Sequence, residues 1–347
     1  MRYNQPMVQK LLDSIDAILI TNPTNIRYLT GFVGVAPEER EAYVLLTKKQ
    51  TFLFTNALYR QQAKKTNATV VEISREEPFT KKLAETFQGK HLGFEENDVS
   101  VVEYKKLEKE LNGTTLVPTQ GRIEELRMMK RENEIENIRA AAKLTDECFD
   151  FTLKKIKPGV TEGTIAWEIE TFIRTHGAEL AFSPIVAFGA NTSQPHYAQC
   201  QMSNAKCQMN DIILLDFGAS VNGYCSDMTR VVFVGKPKEE WVKTYETVLA
   251  AQQAALDYLH LEGVKAHLPG GVRLDRIARD VIEKAGFPAY PHSLGHGVGL
   301  DIHESPRLTI KKDTVLKPNM IVTIEPGIYM EGSYGIRIED LVLLKED

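Results

Sequence analysis

The run from Ile212 to Val234, IILLDFGASVNGYCSDMTRVVFV, restricts this chain more than any other stretch. Apolar and β-branched residues fill both arms, and Asn222-Gly223 stands where a two-residue hairpin turn needs positive φ. A turn there pairs Val221 with Tyr224, Ala219 with Ser226 and Asp216 with Thr229. Residues two apart on a strand share a face, so Asp216 and Asp227 become diagonal neighbours, roughly 7–8 Å apart at Cβ. Two carboxylates pointing the same way from apolar strands need positive charge between them.

The C-terminal end repeats the pattern. Glu325 closes the run VTIE and Glu339 the run GIRIE, with a loop around Gly332 between them. A hairpin centred on Gly332 puts both carboxylates on one face. His296 lies between Gly295 and Gly297, which disfavours a helix and lets backbone approach a ligand closely. Any single acid is more often a surface carboxylate. That reading weakens when each one ends an apolar run, because strand interiors rarely carry unpaired acids. Asp216, Asp227, His296, Glu325 and Glu339 therefore form one candidate ligand set. Oxygen donors with one imidazole suit Mn²⁺, Co²⁺ or Zn²⁺, and five ligands exceed what one tetrahedral ion needs. Two ions sharing bridging carboxylates is the economical expectation, a pair able to activate water and polarise a carbonyl.

The order Asp, Asp, His, Glu, Glu, set in DFGA, YCSDMTR, HSLGHGVGLDIHE, TIEPGIY and GIRIED, resembles the pita-bread metallopeptidases. Within them it is most similar to aminopeptidase P and prolidase, the Xaa-Pro peptidases. NIRYLTGF, LYRQQA and LGFEEN resemble the creatinase/prolidase N-terminal domain. The resemblance implies an α/β N-terminal domain over 1–122 and an α+β pita-bread catalytic domain over 123–347. It implies Asp227 and Glu339 as bridging ligands, Asp216 on one ion, and His296 with Glu325 on the other, with Glu325 also taking the proton of the attacking water. It places His196, His292 and His303 at the substrate. His196 would serve the developing oxyanion and His303 would shuttle a proton. For His292 a structural hydrogen bond is the competing reading. Arg337, two residues before Glu339, is either an ion pair to a ligand carboxylate or a fork for a substrate carboxylate. The implied activity is release of the residue before proline at a peptide's N-terminus by a Mn²⁺ homodimer, with Co²⁺, Zn²⁺ or Fe²⁺ as other metals. A dipeptide-only prolidase is the alternative. A methionine aminopeptidase or a metal-free creatinase-like protein or binding module is less favoured.

Composition excludes other classes. The 347 residues carry a net charge of −5 and no basic stripe, which gives a nucleic acid no footing. No apolar run approaches a membrane span, and MRYNQPMVQKLLDSIDAI lacks a signal peptide's apolar core. Cys148, Cys200, Cys207 and Cys225 show neither CxxC spacing nor a disulfide framework, so a cytoplasmic setting is expected. Along the chain, Ala17–Thr21, Glu41–Leu46 and Thr51–Thr55 read as strands, NPTNIRYLTGF as a turn and an apolar segment, and 121–131 as a linker. Ile135, Ile138, Ala142, Phe149, Leu153 and Ile156 recur at helical spacing as a core stripe. His176 reads as capping or surface, and His260 and His267 as surface. LEGVKAHLPGGV reads as a connection between two helices.

Overall fold

The computed structural model describes residues 5–36, 39–198, 202–264 and 270–345; Cys200 and His267 lie outside them. The chain divides into two compact units, Met1–Leu126 and Arg127–Asp347.

The first unit is built on a six-stranded mixed sheet. In spatial order its strands are Thr69–Ile73, Thr51–Asn56, Ala42–Thr47, Ala17–Ile20, His91–Phe94 and Thr115–Pro118. Ala17–Ile20 is fully buried, as a central apolar strand must be. The expected turn at NPTNIRYLTGF is instead a helix, Pro23–Thr30. Its start and stop follow local chemistry. The Asn22 side chain accepts from Asn25 N–H, Pro23 sits at the first helical position, and Gly31 ends the helix at φ 80°. Buried Glu95 accepts from the Thr21 and Asn22 amides at 2.6 and 2.7 Å, fixing the entry to that helix. Part of the expected linker is also helical, over Arg122–Met128.

Among the described residues, strand pairs in the second unit are antiparallel throughout. Asp211–Asp216 runs between Thr229–Val234 and Ile185–Phe188. Gly295–Gly297 lies between Glu304–Leu308 and Ile321–Ile324, and the latter also pairs with Asp340–Leu343. Helices Glu132–Leu153, Glu162–Thr175, Glu239–Val264 and Gly271–Lys284 flank these sheets. The helix Glu239–Val264 continues into what sequence spacing assigns to the connection. The buried side of Glu132–Leu153 is Ile135, Ile138, Ala141, Thr145, Cys148 and Thr152, while Leu153 is exposed. The apolar stripe misplaced this face because two threonines belong to it. Thr152 Oγ1 donates to the Cys148 carbonyl at 2.7 Å, and Thr145 Oγ1 accepts the Ala219 amide at 3.0 Å. Satisfied hydroxyls of this kind can be buried.

Candidate metal centre

The hairpin register is the expected one. Asp216 pairs with Thr229 and Val221 with Tyr224, and Asn222 and Gly223 take φ 51° and 82°. Between these ladders the two arms cross at Gly218, where an added Cβ would sit 1.8 Å from the Ser226 carbonyl oxygen. That approach delivers Asp227 beside Asp216. On the C-terminal side, Ile324 pairs with Asp340 and Gly327 with Arg337. Both ladders keep one register, so Glu325 stands opposite Glu339. Gly332 turns the hairpin at φ 69°. His296 enters from the Gly295–Gly297 strand, where a Cβ on Gly295 would lie 1.9 Å from the Thr323 carbonyl oxygen.

One cavity of about 230 Å³ gathers His196, Asp216, Asp227, His292, His296, His303, Glu325, Arg337 and Glu339. Asp227, His296 and Glu339 each present a donor atom there, all within 4.8 Å of one another. His296 Nδ1 donates to the Gly297 carbonyl at 3.1 Å, so Nε2 is left with its lone pair. That nitrogen is 3.3 Å from Glu325 Oε1 and 3.7 Å from Asp227 Oδ2. Burial, helped by His303, pushes His296 down to about 3, which keeps the ring neutral.

The acids disfavour one another's charged forms. Burial, then Glu339, Asp216 and Glu325, holds Asp227 well above the usual carboxylate range. Burial and Glu339 do the same to Glu325. Burial and Asp216 raise Glu339 to about 7. Among the described residues, the buried Asp216 Oδ1 and Asp227 Oδ1 have no hydrogen-bond partner. Three buried carboxylates and the partly buried Glu325 crowd around the Arg337 guanidinium, and two of their oxygens are orphaned. Divalent cations would supply the missing charge and take those oxygens, so the residues fit a metal centre.

Several residues beyond the expected set complete the geometry. Thr229 Oγ1 donates to Glu339 Oε2 at 2.6 Å, and Thr323 Oγ1 to Glu325 Oε1 at 3.1 Å. Arg337 is committed to protein acceptors: Asp216 Oδ2 at 2.6 Å, Thr229 Oγ1 at 2.9 Å, the Tyr329 hydroxyl at 2.8 Å and the Pro195 carbonyl at 3.3 Å. The geometry thus carries the ion-pair reading of Arg337, not a fork open to substrate. His292 is engaged at both nitrogens, with the Ser293 carbonyl at 2.8 Å and the Tyr329 hydroxyl at 3.0 Å. The acceptors fix the proton order: Arg337 donates to Tyr329, Tyr329 to His292 Nε2, and His292 Nδ1 to Ser293. Here too the structural hydrogen bond is the reading the geometry carries. His196 and His303 are exposed to the cavity mouth, and the His303 ring meets that of His296 edge-on at 4.5 Å. Tyr329 lies in TIEPGIY and Thr229 faces Asp216 in the hairpin, so both were readable; their side-chain partners were not. Arg307, opposite His296 in the ladder and also lining the cavity, escaped the sequence reading altogether. His176 accords with its capping role, donating from Nδ1 to the Phe172 carbonyl at 2.7 Å, and His260 is exposed.

These features define a metallopeptidase fold with a carboxylate–histidine centre. Residues 136–346 match the model of metallopeptidase family M24, and 9–129 match the creatinase/prolidase N-terminal domain. The chain belongs to metallopeptidase family M24. It is 34% identical to the Xaa-Pro dipeptidase of Pyrococcus horikoshii, across 96% of this chain and 92% of that protein. An Xaa-Pro dipeptidase from Bacillus anthracis superposes with TM-score 0.87 at 34% identity, over 99% of this chain and 94% of that one. The X-Pro aminopeptidase from Thermotoga maritima gives 0.86, also at 34% identity, over 98% and 95%.

Proposed function

We propose that the protein is an Xaa-Pro dipeptidase whose Asp216, Asp227, His296, Glu325 and Glu339 hold two divalent ions, Mn²⁺ by ligand type. When bound, such a pair lowers the pKa of a water and polarises the scissile carbonyl. Asp227 and Glu339 would hold the ions together with Asp216, His296 and Glu325, and Arg337 and Thr229 orient Asp216 and Glu339. Glu325, with Oε1 3.3 Å from His296 Nε2 and hydrogen-bonded by Thr323, would take a proton from the attacking water. His196 and His303 at the mouth would stabilise the oxyanion and pass a proton to the proline nitrogen. A homodimer in the cytoplasm belongs to the same reading, and sedimentation velocity tests the dimer. No helix of the described residues is long and apolar enough to cross a membrane.

Arg307 carries the dipeptide assignment over the longer-peptide expectation. It stands on the His296 face of the ladder, lines the cavity, and has no carboxylate partner within 4.0 Å among the described residues. A free guanidinium beside the reacting centre suits the C-terminal carboxylate of a dipeptide. Cleavage of longer Xaa-Pro peptides is the second reading. A groove of about 770 Å³, lined by Asn191, Ser193, Gln194 and Glu331, shares His196 and His292 with the cavity and leaves room for more residues. The test pairs an Xaa-Pro dipeptide with an Xaa-Pro-Xaa tripeptide on Mn²⁺-loaded protein. Arg307→Gln is expected to raise the dipeptide KM about 10–100-fold, the effect of losing one charged hydrogen bond. Equal cleavage of both peptides by the parent, with no response to Arg307→Gln, gives the aminopeptidase instead.

A further inference from the structure

We propose that Glu162 and Tyr197 are positioning residues that hold the loop bearing His196 against the reaction site; this rests on the peptidase reading above. No hydrogen bond to another described residue fixes the His196 ring, so the loop that carries it is what hydrogen bonding holds at the cavity. That backbone belongs to the turn after Ile185–Phe188, which runs through Gly189–Ser193 to Tyr197. Both ends of the turn converge on one carboxylate. Glu162 Oε1 accepts the Phe188 amide at 2.7 Å and Asn191 Nδ2 at 2.9 Å, and Oε2 accepts the Tyr197 hydroxyl at 3.0 Å. Asn191 Nδ2 also donates to the Tyr197 oxygen at 3.1 Å, which closes the ring of contacts.

The setting explains why an acid is used there. Glu162 is 0% exposed, and a fully buried carboxylate must be satisfied on both oxygens. It occupies the first position of helix Glu162–Thr175, behind the N-cap Thr161, where the helix dipole favours negative charge. An acid with three donors reaches both ends of the loop at once, which an amide of the same size cannot do with acceptors alone. The loop's middle is tied elsewhere: the Gly335 amide donates to Thr192 Oγ1 at 2.8 Å, beside Arg337. Glu162 and Tyr197 do not line the cavity, so they act through His196.

The test is a double-mutant cycle on the full-length Mn²⁺-loaded protein with an Xaa-Pro dipeptide. Tyr197→Phe keeps the ring and removes the hydroxyl. In the parent it is expected to lower kcat about tenfold with KM within about twofold, the loss of one hydrogen bond that positions a transition-state group. In a His196→Ala background it should cost nothing further. Glu162→Gln should follow the same pattern. A second readout does not depend on turnover: amide exchange of peptides covering 189–198 should speed about tenfold in Tyr197→Phe while the 162–175 helix stays unchanged. Equal losses in both backgrounds, or loop exchange identical to the parent, overturn the proposal. If the parent cuts no proline peptide, the peptidase reading fails, and the exchange arm still decides the anchor.

Discussion

Glu339 shows how one residue couples the site to the whole fold. Its carboxyl keeps a proton up to about 7 in the folded, metal-free protein, against 4.5 ordinarily, because of burial and the nearby Asp216. Between those values the native state binds more protons than the unfolded chain, so stability falls as pH rises. Glu339 alone contributes on the order of 3 kcal/mol to that loss. Asp227 and Glu325 shift in the same direction. Chelator-stripped protein should therefore melt progressively lower from pH 4.5 to 7.5, and Mn²⁺ should restore Tm more at pH 7.5 than at pH 5. Scanning fluorimetry checks this; a Tm rising with pH in stripped protein would mean that the four acids are not crowded as described. Asp216, Glu325 and Glu339 were legible because each closes an apolar run, and Asp227 because the hairpin register sets it beside Asp216. Their partners were not, since Arg337, Tyr329 and Thr229 reach the acids from other strands.

At the scale of elements, strand approach decides whether the ligands meet. Gly295 lets the His296 strand lie against Ile321–Ile324, and a methyl there would collide with the Thr323 backbone oxygen at 1.9 Å. Backbone cannot step aside as a flexible side chain would. Gly295→Ala is expected to destabilise by about 2–4 kcal/mol and to weaken metal binding more than tenfold, through displacement of His296. Isothermal titration with Mn²⁺ and a urea melt check both effects, and an unperturbed alanine variant would refute the close approach. The hairpin registers were readable because their turns carry Asn222-Gly223 and Gly332 at positive φ. The helix at Pro23 was missed because NIRYLTGF has apolar residues at both periods, although the Asn22 cap, Pro23 and Gly31 that bound it are local signals. The inner face of Glu132–Leu153 was misread for a related reason: threonine counts as polar until its hydroxyl finds a buried partner.

Over the whole molecule, every proposed ligand falls within the unit Arg127–Asp347, which has cores of its own. Metal binding should then stabilise that unit by mass action and leave the six-stranded sheet of the first unit untouched. Hydrogen exchange with and without Mn²⁺ should show added protection around Asp211–Asp216, Gly295–Gly297 and Ile321–Ile324, with Ala17–Ile20 unchanged. Equal protection of both units would mean that the chain responds as a single cooperative body.

The sequence by itself determined the strands that carry acids, the turns that pair them, and the five candidate ligands, because hydrophobic alternation and positive-φ turn residues are local properties. Tertiary structure alone decided that Arg337 and His292 spend their hydrogen bonds on protein partners, that Arg307 faces the cavity, and that Glu162 ties down the His196 loop. Each of those depends on which side chain lies across a strand boundary, and a side chain's partner is set by packing between segments far apart in the chain.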